Sequence, residues 1–121
     1  MFVRSLNSCE EFVAGDATRL RELFNPLKDP LNLRYSLAHA TVAAGDITKP
    51  HSLKTSEVYY ILSGNGVMHI NDEQRAVRAG DAVYIPPNAV QYIHNPSPDS
   101  LVFICIVDPA WRPEDETIIR I

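Results

Sequence analysis

Cysteine is scarce in this chain: its 121 residues include two, Cys9 and Cys105. So distant a pair cannot define a disulfide framework at this length, and reduced thiols in a cytoplasmic protein are the simpler reading. Long apolar runs are missing as well. No stretch approaches the length of a membrane span, and Met1 to Glu10 carries polar residues where a secretory signal would need an unbroken apolar segment. A soluble, cytoplasmic protein with no membrane partner is expected. Positive charge is also short, with 11 Lys and Arg against 15 Asp and Glu and a net charge of −4. A mildly acidic surface repels phosphate backbones, so nucleic acid is not an expected partner. Internal repeats and low-complexity segments are absent too.

What is present is an ordinary globular composition, 45% hydrophobic and 21% charged. The length suits one domain, so function must sit in one pocket or on one surface. We read residues 1–30 as an N-terminal arm with a short helix, 31–108 as a barrel and 109–121 as a tail. Within the arm, Phe2 to Leu6 is a strand candidate. The segment Thr18 to Phe24 predicts a two-turn helix, capped by Asp16 or Thr18, with Leu20, Leu23 and Phe24 on one side.

Beyond Leu31 the period changes to two. Leu33, Tyr35, Leu37, His39 and Thr41 share one face of a strand, with Arg34, Ser36, Ala38 and Ala40 on the other. Further strands are expected at 58–62, 67–70, 82–85, 90–94 and 101–107, separated by turn sequences such as Ser63-Gly64-Asn65-Gly66 and Pro86-Pro87-Asn88. Many short strands without intervening helices indicate an all-β sandwich or barrel. Two of them, 58–62 and 101–107, are apolar on both faces. A barrel wall normally has one wet face, so the outer side should be covered by the N-terminal segment or a second subunit; we expect a homodimer.

The segment from Gly45 to Gly64 resembles the first cupin motif, G-x5-H-x-H-x3-E-x6-G, with Gly45, His51, Glu57 and Gly64 in place and Leu53 where a second histidine is usual. Gly80 to Asn95 resembles the second, G-x5-P-x-G-x2-H-x3-N, with Gly80, Pro86 and Asn95 matching, Asn88 in place of glycine and Gln91 in place of histidine. Asparagine suits the exchange because it tolerates left-handed backbone better than other side chains. The resemblance implies a double-stranded β-helix, or jelly-roll, barrel of the small single-domain cupin kind.

In metal-binding cupins these motif positions hold one divalent ion. The resemblance therefore implies a reduced ligand set, His51, Glu57 and Gln91, for zinc, iron, nickel or manganese, weaker than the full set because Leu53 cannot ligate and an amide oxygen is a poorer donor than imidazole. The alternative is a metal-free pocket in which His51 and Glu57 hydrogen-bond one another. His39 is a candidate fourth ligand or general base if its face lines the pocket, which strand parity alone does not decide, and Tyr59, two residues beyond Glu57, is a candidate to offer its hydroxyl. His94 reads as a surface residue, His69 as a surface or sheet residue, Cys105 as a small buried hydrophobe that could line the pocket, and Trp111 as a packed tail residue, a lid or a dimer contact. The acidic run Glu114 to Glu116 reads as a solvated face.

Two functions follow as expectations. One is a metal-assisted dioxygenase, isomerase, decarboxylase or lyase acting on a small organic molecule. The other is a metal-free module that binds or senses a sugar derivative or carboxylic acid.

Overall fold

The computed structural model describes residues 1–120. Among them the chain forms β1 (Phe12–Val13), β2 (Arg19–Phe24), β3 (Ser36–Val42), β4 (His51–Leu53), β5 (Ser56–Ser63), β6 (Asn65–Ile70), β7 (Glu73–Arg78), β8 (Ala82–Ile85), β9 (Gln91–His94), β10 (Leu101–Asp108) and β11 (Glu116–Ile118). They build two antiparallel sheets, ordered β1-β2-β3-β10-β5-β8 and β11-β4-β9-β6-β7. The sheets face one another as a jelly-roll barrel, as expected.

The arm departs from its sequence reading. Thr18 to Phe24 is not a helix: Arg19 to Phe24 runs as β2 beside β3, pairing Arg19 with Thr41 and Phe24 with Leu37 across a bulge after Glu22. An isolated two-turn helix has too few hydrogen bonds to repay its nucleation, whereas an edge strand takes its partners from β3. Asp16 does not cap a helix but accepts the Thr18 N–H at 3.0 Å in a tight turn. Phe2 to Leu6 forms no strand, and Leu6–Ser8 is a single 3-10 turn. The tail turns back, and β11 pairs with β4, placing Ile118 opposite His51.

Strand register sorts the interior into layers. At one end Val42 meets Leu101, and the next layer holds Ala40, Phe103 and Ile61. The third brings Ala38, Cys105, Tyr59 and Val83 together, and the fourth Ser36, Val107, Glu57 and Ile85. Phe103, Ile61, Leu101 and Ile85 are almost wholly buried, as is Ile93 from the opposite sheet. Each contributes roughly 1.5–3 kcal/mol by leaving water. On β3 the inward residues are Ser36, Ala38, Ala40 and Val42, and the small ones among them leave the third and fourth layers underfilled.

Motif residues without reactive groups serve the turns. Gly64 has φ +86°, and a Cβ there would stand 2.5 Å from the Ser100 carbonyl oxygen, so no side chain fits. Asn88 takes φ +68°, the left-handed backbone expected of it. Asn95, fully buried, donates to the carbonyls of Val42 and Asp99 and accepts from Ser97, tying three segments together.

Candidate active site in the barrel

The underfilled layers open into a cavity of about 260 Å³ between the sheets. β3 and β10 supply its small wall residues, Ser36, Ala38 and Cys105, and β5 supplies Glu57 and Tyr59. His51 and Leu53 enter from β4. The two chain ends complete the lining, Phe12 to Asp16 on one side and Trp111 with Glu116 on the other.

His51 is buried, and its Nδ1 lies 2.9 Å from the Lys49 carbonyl oxygen. A carbonyl only accepts, so Nδ1 carries the hydrogen. Nε2 is thereby left with its lone pair unless the ring is protonated, and it faces Asp16 Oδ2 at 3.6 Å. Asp16 is held in turn by the Thr18 N–H on Oδ1, and its own carbonyl accepts the Lys49 N–H at 2.7 Å. The arm and β4 are thus stitched together beside the imidazole.

Across the cavity the Tyr59 hydroxyl donates to Gln91 Oε1 at 3.1 Å, and its ring packs on Phe103 with centroids 4.3 Å apart. Gln91 sits opposite His51 in the β4–β9 register. Glu57 is 7% exposed, and its Oε1 has no hydrogen-bond partner among the described residues. Burial pushes its carboxyl up to about 8; the Gln91 side chain pulls the other way, and the negative charges of Asp16 and Glu116 add to the rise. Burial, then Glu57, also pushes the Tyr59 phenol and the Cys105 thiol well above their ordinary values, so both stay protonated near neutrality.

The structure brings His51, Glu57, Gln91 and Tyr59 to one end of the barrel interior. It does not bring His39 there. His39 pairs with Arg21 and Ile104 on the outer face of its sheet, because the cavity side of β3 carries Ser36, Ala38 and Ala40. Its imidazole is shifted down by partial burial and by Arg21. His69 stacks on Tyr92, also away from the cavity. Two cavity residues escaped the sequence reading, Asp16 and Glu116, which looked like turn and surface carboxylates; Trp111, whose alternatives included a lid over the pocket, lines the cavity. Glu116 instead lines the cavity and accepts the Trp111 indole N–H on Oε2 at 3.1 Å. Asp115, from the same acidic run, is buried against Arg112.

The donor set does not fit the divalent ion that the family motif implies. Leu53 occupies one ligand position, and Gln91 Oε1 already accepts from Tyr59. Among the described residues no three His, Cys, Asp or Glu side chains are grouped so as to hold a metal.

Fold and cavity together define a jelly-roll barrel with an acid-lined interior site. The chain belongs to the cupin family, whose Cupin domain profile matches residues 38–107. An uncharacterized protein of Methanocaldococcus jannaschii is 36% identical over 110 residues, covering 90% of this chain and 87% of that protein. Among solved structures, the polyketide cyclase RemF from Streptomyces resistomycificus superposes with a TM-score of 0.82 at 18% identity, covering 100% of this chain and 87% of that one. A Streptomyces nucleoside dehydratase gives a TM-score of 0.78 at 21% identity, covering 99% and 92%. At these identities the solved structures speak for the fold. Among the described residues no helix is long and apolar enough to cross a membrane.

Proposed function

We propose that the cavity binds a small, partly apolar organic molecule and that Glu57 moves a proton on it, in a reaction of the isomerase or lyase kind that does not use a metal. The observation that carries this reading is the orphaned Glu57 Oε1, a buried polar atom facing a cavity with nothing to pair it. Such an atom is costly in a folded protein unless a guest supplies its partner. A carboxyl that ionises near neutral pH is also suited to give and take protons there. His51 Nε2 is the complementary group: it takes a proton as Glu57 gives one, the charge of Asp16 Oδ2 at 3.6 Å favours the imidazolium so formed, and the roles reverse on reset. Tyr59 and Gln91 orient Glu57 rather than react. The activities named for the two structural neighbours, a cyclase and a dehydratase, are reactions that shift protons, which agrees with this reading.

The test is elemental analysis of chelator-free protein and of His51→Ala, together with infrared detection of the Glu57 carboxyl in wild type against Glu57→Gln. We expect substoichiometric metal in both proteins and a protonated Glu57 near pH 7. Near-stoichiometric metal in wild type that His51→Ala loses would return the site to the metal-assisted reading.

We also infer that a second copy of the chain covers the outer face of the six-stranded sheet. Tyr60, Leu62 and Tyr84 are exposed there beside the half-buried Val58, Ile104 and Ile106. The N-terminal segment reaches β2, where Phe2 packs on Phe24 and Arg4 donates to the Leu23 carbonyl. Sedimentation should show a dimer that Tyr60→Glu dissociates; a monomeric wild type at micromolar concentration would refute it.

A further inference from the structure

The charge of the cavity lining bears on what can enter. Asp16, Glu22, Glu57 and Glu116 face it, and among the described residues neither lysine nor arginine does. Glu22 is neutralised on the rim by Lys28 at 2.8 Å. Among the described residues Asp16, Glu57 and Glu116 have no cationic partner apart from His51, which faces Asp16 and is charged only when protonated. The carboxylate of Glu116 is positioned on both sides: Trp111 fixes Oε2, and Oε1 would lie 3.0 Å from a Cβ on Gly15, so the missing side chain there makes its room.

Resting on the proposed binding role of this cavity, we propose that its ligand is a small organic amine, held as an ammonium among Asp16, Glu57 and Glu116 with its apolar part against Phe12, Leu20 and Trp111. An ammonium carries three N–H donors and can give one to the orphaned Glu57 Oε1, the carbonyl oxygen of the protonated carboxyl, while its charge meets the carboxylates of Asp16 and Glu116. A carboxylate or phosphate would meet like charge without a basic side chain to hold it, so the lining rejects the carboxylic acid considered from the sequence. The aromatic faces at the mouth suit a cation as well as an apolar ring. A volume of about 260 Å³ is ample for a guest with a single ring.

Trp111 is the only tryptophan and lines the cavity, so its fluorescence reports occupancy directly. The experiment titrates the full chain at pH 7 with benzylamine, benzyl alcohol and benzoate, which share a ring and differ in charge. Benzylamine should bind about tenfold more tightly than benzyl alcohol, and benzoate should leave the signal unchanged. Glu116→Gln should weaken benzylamine roughly fivefold and leave benzyl alcohol within about twofold, with the circular dichroism spectrum unaltered. The wild-type comparison needs no variant to fold. Benzoate binding as tightly as benzylamine, equal binding of the amine and the alcohol, or binding of none of the three would overturn the amine assignment. Those outcomes leave the proton-transfer reading to its own measurements, metal content and the protonation of Glu57.

Discussion

The two ends of the barrel interior are built from the same strands and differ in what those strands point inward. At the closed end Val42, Leu101, Phe103 and Ile61 fill the space between sheets. At the open end the same strands, β3, β10 and β5, present Ser36, Cys105 and Glu57. The backbone is continuous, and what changes is side-chain volume and polarity over about two residues per strand. Stability is therefore concentrated at one end, and the other is free to hold an unpaired carboxyl that a packed core could not tolerate.

The largest effect that tests this division is Phe103→Ala. It removes a ring that packs on Tyr59 and is almost wholly buried, and should cost about 3–5 kcal/mol in urea unfolding. A loss below about 1 kcal/mol would mean that the closed end does not carry the fold.

The next effect belongs to the open end and depends on pH. The Glu57 carboxyl ionises at about 8 when folded, against an ordinary value of 4.5. Between those values the unfolded chain releases the proton and the folded chain keeps it, so rising pH favours unfolding. Glu57's contribution is full below 4.5, declines by roughly 1.4 kcal/mol per unit through the interval, and levels off above about 8. The total reaches a few kcal/mol. Glu57→Gln, which cannot ionise, should remove most of this slope and leave the variant more stable than wild type at pH 8. Parallel pH profiles of the two proteins would contradict the assignment.

The same contrast explains what the sequence could and could not reveal. Motif spacing located Glu57 and Gln91, and turn chemistry at Gly64 and Asn88 located the barrel, because those positions obey local backbone rules. β2 escaped because Leu20, Leu23 and Phe24 fall at helical spacing, and its bulge after Glu22 breaks the alternation that would have marked a strand. The inward face of β3 was undecided for a related reason. Its larger residues, Leu37 and His39, point outward, while a cavity demands the small ones. Asp16 and Glu116 carried no local signal at all, since each reaches the site only through the pairing of distant segments, Asp16 with Lys49 and β11 with β4.

The smallest effect on stability should accompany a large effect on binding. Ala38 is partly buried, pairs with Cys105 and Glu22, and faces the cavity. Ala38→Leu adds three carbons pointing into open volume rather than into packed neighbours. At the closed end the corresponding change, Ala40→Leu, meets Phe103 in its own layer and should cost about 1–3 kcal/mol through overpacking. At Ala38 the new side chain buries apolar surface where none was displaced, so the change should stay within about 1 kcal/mol of wild type in urea unfolding. It should nevertheless abolish the Trp111 fluorescence response to benzylamine. If Ala38→Leu destabilises as much as Ala40→Leu, the open end is packed after all and the two halves of the interior are not physically distinct.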